Sequence, residues 1–247
     1  NKSQNVALSG GVDLPASSRL TAAVDFGMTT QSDDFLAYTV NTAIKPLVSG
    51  AVLKAYEASS LPASKLDGKI ETTNQRYLLS SRPINPLDVQ VQYRSANNKN
   101  KTNEITFPGQ VRFDQVWEPF IETNTPFGNH TQNVDADVDV DVIPGVNIGG
   151  GYGVEIIDRT HREVHKTTEN VIRTSLKLRP VDMLSFNAGF VSGKRKMNDF
   201  EIEDYENDLG QLIELPGLRR SDVAGRDRQR VTAGVQVMPM GDVSLNV

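Results

Sequence analysis

Between residues 134 and 142, apolar residues and aspartates alternate without a break. The apolar residues are Val134, Ala136, Val138, Val140 and Val142, and the positions between them are Asp135, Asp137, Asp139 and Asp141. Because side chains of a β-strand point alternately to its two faces, this pattern predicts a strand with an acidic face and an apolar face. Burying unpaired charge is costly, so the acidic face must meet water. The pattern fits a soluble sheet with one solvated face, or a barrel strand with lipid outside and water inside.

The same alternation recurs along the chain, between short turns that contain proline. Proline fixes φ and cannot donate a ladder hydrogen bond, so it belongs at corners rather than in central strands. The turns lie at residues 14–20, 82–87, 143–146, 179–184 and 238–243. About ten strands can be drawn around them, each of the roughly 9 to 11 residues that a tilted barrel strand requires.

Connections of a different kind separate these hairpins. Residues 28–66, 96–131 and 197–227 are long and polar, and residues 158–166 form a shorter connection. Soluble sheets rarely have several connections of such length. Short periplasmic turns at one end and long extracellular loops at the other are typical of outer-membrane barrels. Within the first connection, residues 34–58 fit either a short amphipathic helix or an ordered surface loop.

Composition limits the chemistry open to this chain. Of its 247 residues, 38% are hydrophobic, the mean hydropathy is -0.38, and no apolar run approaches the roughly 18 residues of a membrane-spanning helix. The absence of cysteine excludes disulfides, thiolate metal sites, iron–sulfur clusters and covalent attachment of c-type haem within this stretch. The net charge of -5 provides no basic footprint for nucleic acid.

The aspartate run does not predict a calcium loop. Asp135, Asp137 and Asp139 match the first three carboxylates of an EF-hand. That loop also needs glycine at its sixth position and glutamate at its twelfth, where this chain has Val140 and Val146. A solvated strand face is therefore the favoured interpretation.

Other polar motifs also lack the pattern of a catalytic site. His161 and His165 lie in a charged connection without the glutamate placement of HExxH, so a metalloprotease is not predicted. Residues 149–153 are glycine-rich but do not form a phosphate-binding pattern, which favours a bend or a close contact in a curved sheet. Basic residues at 215–222 and 226–230 alternate with aspartates and predict a mixed-charge loop rim. We find no enzyme in this sequence.

Residues 1–247 predict a single domain, because no low-complexity linker divides them. The chain begins at Asn1 without an initiator methionine or a secretory signal. It ends at Val247 within an apparent strand. We therefore expect an internal piece of a longer protein.

Several short motifs, taken in their order and spacing, resemble the MtrB/PioB family of decahaem-associated outer-membrane proteins. They are residues 5–25, 29–36, 66–74 followed by 80–83, 168–170 followed by 178–180, and 215–220 followed by 227–231. The resemblance implies a large barrel in the bacterial outer membrane that sheathes a periplasmic multihaem (decahaem) c-type cytochrome. Electrons would commonly pass on to an extracellular multihaem cytochrome, for metal reduction or iron oxidation. It also implies that the partner carries the haem and that this chain binds no cofactor or metal.

The fold prediction is therefore an all-β, antiparallel, up-and-down transmembrane β-barrel segment of about ten strands. Ten strands are too few to surround a cytochrome, which again predicts part of a larger barrel. Strand parity predicts that the lumen-facing residues, which would contact the partner, are Asp135, Asp137, Asp139, Asp141, Glu155, Arg173 and Lys177. It predicts lipid contacts for Val138, Val140, Leu176 and Val235, and interface belts that include Phe26, Tyr93, Tyr152, Phe186 and Phe190.

Two other functions fit the alternation. One is a general porin or substrate-specific outer-membrane channel, and the other is a secreted all-β adhesin or surface-layer module. Co-purification with a cytochrome would indicate the scaffold, and solute conductance without a cytochrome would indicate the channel. Solubility without detergent would indicate the adhesin.

Overall fold

The computed structural model describes residues 1–201, 221–240 and 243–246. Its strands are β1 (Lys2–Leu14), β2 (Ser18–Gln31), β3 (Leu47–Val48), β4 (Ala51–Val52), β5 (Gly68–Ile84), β6 (Leu87–Asn100), β7 (Thr106–Phe107), β8 (Gln110–Arg112), β9 (Val116–Glu118), β10 (Glu122–Thr123), β11 (Asn129–Ile143), β12 (Val146–Arg159), β13 (Lys166–Val181), β14 (Leu184–Met197), β15 (Arg226–Met240) and β16 (Val243–Asn246). One turn of 3₁₀-helix covers Ala58–Ser60.

The main feature of the fold is one ten-stranded sheet. Its strand order is β1-β2-β5-β6-β11-β12-β13-β14-β15-β16, and every neighbouring pair is antiparallel. Strands therefore follow one another across the sheet in chain order, which confirms the predicted up-and-down antiparallel topology. Among the described residues, no pairing joins β1 to β16, so the sheet has two edges.

The long strands exceed the predicted length. They range from 13 residues in β1 to 17 in β5, so the prediction of 9 to 11 residues per strand is wrong. A 14-residue strand tilted by about 40° rises about 35 Å along a barrel axis, whereas an apolar band is about 25 Å tall. The extra residues lie towards the long connections, where both faces are polar and the alternation of hydrophobicity is lost. On β14, for example, Ser192 and Lys194 follow Phe190 on the same face.

The two ends of the sheet differ as predicted. Tight turns join β1 to β2, β5 to β6, β11 to β12 and β13 to β14, and in the third of these Gly145 has φ of 82°. Residues 241–242 of the predicted turn at 238–243 lie outside the described residues, as does the motif at 215–220. The opposite end has the connections 32–67, 101–128 and 160–165, together with residues 198–201 and 221–225, the described parts of the connection between β14 and β15. Residues 34–58 contain the short β3–β4 hairpin rather than an α-helix, so the alternative of an ordered loop is correct.

Two long connections pack on each other through aromatic rings. Tyr38 from the first connection contacts Trp117 and Phe107 from the second edge-to-face, with ring centroids 5.2 and 6.3 Å apart. The Thr39 hydroxyl donates to a carboxylate oxygen of Asp114, which ties the same two connections together. Burial raises the pKa of the Tyr38 phenol. These contacts form an ordered cap at the long-loop end.

The sheet has no conventional hydrophobic core in the residues described. Only Ala55, Val164 and Val223 are fully buried apolar residues in that part of the chain, and none of them lies in a strand of the sheet. By contrast, Leu8 is 66% exposed and Val231 is 77% exposed. No second layer built from the described residues covers these strands, so their apolar side chains need another environment.

Candidate functional site: the polar face of the sheet

The strand register divides the sheet into a polar face and an apolar face. Residues paired across neighbouring strands share a face, so the faces can be followed from strand to strand. The seven residues predicted to face a lumen all lie on the polar face: Asp135, Asp137, Asp139, Asp141, Glu155, Arg173 and Lys177. The four residues predicted to meet lipid, Val138, Val140, Leu176 and Val235, lie on the apolar face. Whether the polar face lines a lumen that holds a partner stays a prediction.

Arg173 ties β13 to β11 across the intervening strand. Its Nη1 donates to Asp135 Oδ1 over 2.9 Å, and its Nε and Nη2 donate to the two carboxylate oxygens of Asp137, both over 3.2 Å. The strand that it crosses, β12, has Gly151 and Gly153 beneath the side chain. A Cβ atom on Gly153 would lie 2.6 Å from Asp135 Oδ1, and one on Gly151 would overlap Asp137. The glycines therefore provide the space for this three-strand ion bridge, which is the close contact expected for residues 149–153.

The other predicted residues are less tightly held. Asp141 accepts a hydrogen bond from Asn147 Nδ2 over 3.0 Å. Glu155 Oε1 lies 4.0 Å from Arg195 Nη2, at the limit of an ion pair. Asp139 and Lys177 have no ion-pair partner among the described residues. The structure therefore brings Arg173 together with two of the predicted aspartates and leaves the other predicted charges open to the face.

A buried cluster of charge, absent from the prediction, centres on Glu169. Its side chain is 4% exposed, and its Oε2 accepts hydrogen bonds from Arg195 Nε over 3.0 Å and from Arg226 Nη2 over 2.9 Å. Arg228 Nη2 lies 3.1 Å from the other oxygen, Oε1. Three guanidinium groups from β14 and β15 thus surround one carboxylate on β13. They also offset its repulsion with Glu155, which lies directly opposite Glu169 on β12.

The position of the arginines in this cluster shows that the predicted loop rim at residues 226–230 is wrong. Residues 226–230 do not form a loop rim with interleaved salt bridges, because they are the first residues of β15. Arg226, Arg228 and Arg230 therefore lie on the polar face, while Asp227 lies on the opposite face and cannot pair with them. The signal was present in the sequence: the alternation of Val231, Ala233 and Val235, extended back towards residue 226, gives this assignment.

The apolar face carries an aromatic row at its border with the polar strand ends. Tyr77 and Tyr93 stack with ring centroids 6.1 Å apart. On β12, the Tyr152 hydroxyl donates to Asn170 Oδ1 over 2.6 Å. Tyrosines whose hydroxyls point to polar groups and whose rings cover apolar surface are typical of a membrane interface. Of the other predicted belt residues, Phe26, Phe186 and Phe190 also lie on the apolar face, and Phe190 is its last apolar residue on β14 before Ser192.

A metal centre does not emerge from the part of the chain that is described. In that part, no group of three or more histidine, cysteine, aspartate or glutamate residues could hold a metal ion. His165 lies beside Glu201, with 3.3 Å between Nδ1 and Oε1. His130 Nε2 lies 2.9 Å from Ser95 Oγ.

In the same described residues, no helix is long and apolar enough to cross a membrane.

These observations define a class of protein. An antiparallel up-and-down sheet with one charged face, one uncovered apolar face, short turns at one end and long loops at the other is the architecture of outer-membrane β-barrel proteins. The chain belongs to the MtrB/PioB family. The family model, described as "Putative outer membrane beta-barrel porin, MtrB/PioB", matches residues 1–247. The protein is therefore an outer-membrane β-barrel protein of that family.

Solved structures show a similar strand arrangement at low identity. OmpT, an outer membrane protein of Vibrio cholerae, is 11% identical with a TM-score of 0.43, over 96% of this chain and 74% of that one. An in-vitro folded form of OmpT is 7% identical with a TM-score of 0.45, over 81% of this chain and 51% of that one. The ferric-catecholate import receptor Fiu of E. coli K12 is 10% identical with a TM-score of 0.48, over 99% of this chain and 46% of that one. The chain thus spans about half the length of the latter two. No curated protein sequence matches it.

Proposed function

We propose that this chain forms part of the wall of an outer-membrane barrel that sheathes a periplasmic multihaem c-type cytochrome and so supports electron transfer across the outer membrane. The observation that carries this proposal is the match of the MtrB/PioB family over residues 1–247. The short turns would face the periplasm and the long connections the cell exterior. An extracellular multihaem cytochrome could then meet the far end of the haem chain.

The polar face supports a structural role for this chain. Its arginines are largely matched to acceptors within the face, as Arg173 is to Asp135 and Asp137 and Arg19 is to Asp13. Such a surface is hydrated and charged, and ion pairs within the chain neutralise part of its charge in the absence of a partner. Because the sequence has no cysteine, it cannot attach c-type haem through thioether bonds. Haem and electron tunnelling therefore belong to the cytochrome, and this chain provides position and insulation.

The width of the barrel is part of the proposal. An eight-stranded barrel has an interior just wide enough to be filled by side chains, whereas barrels of about 16 to 18 strands leave an aqueous channel. A folded cytochrome needs at least the latter. We infer that further strands complete the wall beyond the ten-stranded sheet described here. Its two edges and uncovered apolar side chains would otherwise favour aggregation.

The test is isolation of the full-length protein from outer membranes in mild detergent, followed by haem spectroscopy. We expect a multihaem cytochrome to co-purify at a fixed haem-to-barrel ratio. We also expect the pair, reconstituted in vesicles, to pass electrons from an external donor to an enclosed acceptor. A barrel that carries no haem and conducts small solutes would contradict the proposal. That result would favour the second candidate, a porin or substrate-specific channel, which agrees with the description of the MtrB/PioB family as outer-membrane porins.

A further inference from the structure

Three arginines form a column on the polar face of β15. Arg226, Arg228 and Arg230 occupy alternate positions of this strand, so their side chains project on the same side about 7 Å apart along the chain. We call these three residues the arginine column. Arginine keeps its charge at any physiological pH. The column is therefore a permanent line of positive charge on the face that would line the lumen.

The described residues do not balance this charge. One carboxylate, Glu169, serves Arg226 and Arg228 and is shared with Arg195. Its Oε1 lies 3.1 Å from Arg228 Nη2 but has no hydrogen-bond partner. Arg230 lies opposite Val191 on β14, and among the described residues it has no ion-pair partner. Positive charge is thus in excess along β15.

Arginines on other strands of this face have their own acceptors. Arg173 binds two aspartates, and Arg94 Nη2 lies 3.1 Å from Asp135 Oδ2. Arg19 pairs with Asp13, and Arg76 donates to the amide oxygen of Gln92 when that amide is oriented to accept. Arg76 and Lys177 also lack an ion-pair partner among the described residues, but each is a single charge, so the largest excess of positive charge on this face is on β15. It lies four strands, or roughly 19 Å, from the aspartates of β11.

The column is also accessible. Side chains of Arg226 and Arg228 are 42% and 50% exposed. They line an open cavity of about 660 Å³ on the polar face, in which six arginines face three carboxylates. The carboxylates are Glu155, Glu169 and Asp135, and Asp135 is already paired with Arg173 and Arg94. Guanidinium groups offer planar pairs of N–H donors that match the two oxygens of a carboxylate. The cavity therefore has room, donors and surplus charge for anionic groups from outside this chain.

We propose that the arginine column binds carboxylate groups on the surface of the protein that the polar face sheathes. This inference rests on the proposed function, because it names the chemistry of the partner surface seated against β14 and β15. That surface is acidic, whereas the surface seated against β11 meets the negative charge of Asp139 and Asp141, which have no ion-pair partner among the described residues. The arginine column and these two aspartates would thus set the rotational position of the partner within the barrel, because like charges exclude the wrong orientation.

The experiment uses the full-length barrel with its bound cytochrome and compares wild type with the double variant Arg228→Gln/Arg230→Gln. Complexes on an affinity support are washed at rising salt, and the haem-to-barrel ratio is recorded at each step. We expect the double variant to lose half of its haem at a salt concentration at least threefold lower than wild type. In 1 M salt the difference should vanish, because the Debye length falls to about 3 Å.

The matched control is Arg19→Gln/Arg76→Gln, which removes the same charge from the same face on β2 and β5. It should release haem at the wild-type salt concentration. The single variant Arg230→Gln removes no ion pair of the described residues, so a shift in that variant cannot result from misfolding around Glu169. Equal release by the column variants and the control would overturn the inference and leave the proposed function standing.

Failure of the proposed function gives a different result. Wild-type barrel without haem at any salt concentration would refute the sheathing of a cytochrome and the docking site with it. The empty barrel is then measured in planar bilayers under a potassium acetate gradient. A loss of acetate permeability in Arg228→Gln/Arg230→Gln would show that the column binds free anions instead of a partner protein. Unchanged permeability would show that it binds neither.

Discussion

Gly151 leaves room for the ion bridge of Arg173 because it has no Cβ atom. A Cβ atom there would overlap Asp137 and lie 3.2 Å from Arg173 Nε. We expect Gly151→Ala to displace the Arg173 bridge and to lower the free energy of unfolding by about 1 to 3 kcal/mol. Urea titration of the refolded barrel in vesicles measures this change. The matched control is Gly150→Ala on the opposite face, where nothing lies within 4 Å of the new atom.

The two glycine variants should differ in their effect on stability. Alanine is favoured over glycine within a strand by roughly 0.5 to 1 kcal/mol where space permits, so Gly150→Ala should be neutral or slightly stabilising. Equal losses in both variants would mean that β12 tolerates no side chain for reasons of backbone geometry. In that case the bridge between Arg173 and the aspartates would not explain the glycines.

Glu169 illustrates how costly it is to remove one member of a buried ion cluster. Glu169 and Arg195 are 4% and 8% exposed, and the variant Glu169→Gln would leave Arg195 with Glu155, 4.0 Å away, as its remaining acidic neighbour. Loss of one partner from a buried pair costs about 3 to 5 kcal/mol. Arg226 and Arg228 are half exposed and can be hydrated. We therefore expect Glu169→Gln to lower the free energy of unfolding by about 2 to 3 kcal/mol. The measurement is the urea midpoint of the barrel in vesicles.

An exposed pair on the same face provides the comparison for Glu169. Asp13 and Arg19 are 78% and 61% exposed, so Asp13→Asn should cost no more than about 1 kcal/mol. A similarly small effect of Glu169→Gln would mean that water reaches the cluster. The low exposure of its carboxylate would then not reflect desolvation.

At the scale of elements, the cap depends on Trp117, which joins two connections that the sheet itself does not hold together. Its ring contacts Tyr38, and Gly109, which directly precedes β8, leaves space for it, since a Cβ there would lie 2.5 Å from the indole. We expect Trp117→Ala to increase the rate of proteolytic cleavage within residues 32–67 and 101–128 at least several-fold while the sheet stays folded. Leu36→Ala is the control, because Leu36 is 90% exposed. Faster cleavage in the control variant as well would show that the cap is not held by the aromatic contact.

Alternation within single strands predicted which residues share a face, but not which residues meet. Parity is local, so the aspartates of β11 could be assigned to one face from residues 134–142 alone. The meeting of Arg173 with Asp135 depends on the register between strands, which the turns and the irregularities near residues 141–143 and 178–181 set. The partners of Glu169 lie 26 and 57 residues away along the chain. No short-range pattern could identify them.

Strand ends and loops were predicted less well for a related reason. Beyond the apolar band both faces of a strand are polar, so the hydrophobic alternation that marks a strand disappears while the backbone pairing continues. Residues 226–230 have no apolar alternation of their own, so they predict a loop. Only the extension of the alternation of Val231, Ala233 and Val235 back along the chain identifies them as the start of β15. The contact between Tyr38 and Trp117 lies between two connections without periodicity. Its residues could be found only from the structure.

At the scale of the whole molecule, the central prediction is that the polar face lies inside the barrel and the apolar face meets lipid. Residues 1–247 contain no cysteine, so a single cysteine introduced at Val138, Val140, Asp137 or Asp139 is the one site in this stretch that takes a spin label. In vesicles we expect oxygen, which concentrates in lipid, to relax labels at the two valines. A water-soluble nickel chelate should relax labels at the two aspartates of the cytochrome-free barrel.

Binding of the cytochrome should then immobilise the aspartate labels and leave the valine labels unchanged, because only one face contacts the partner. A label at Leu36 in the first connection serves as the control and should stay accessible to the chelate in both states. Valine labels open to the chelate, with aspartate labels closed to it, would reverse the two faces and refute the lumen assignment.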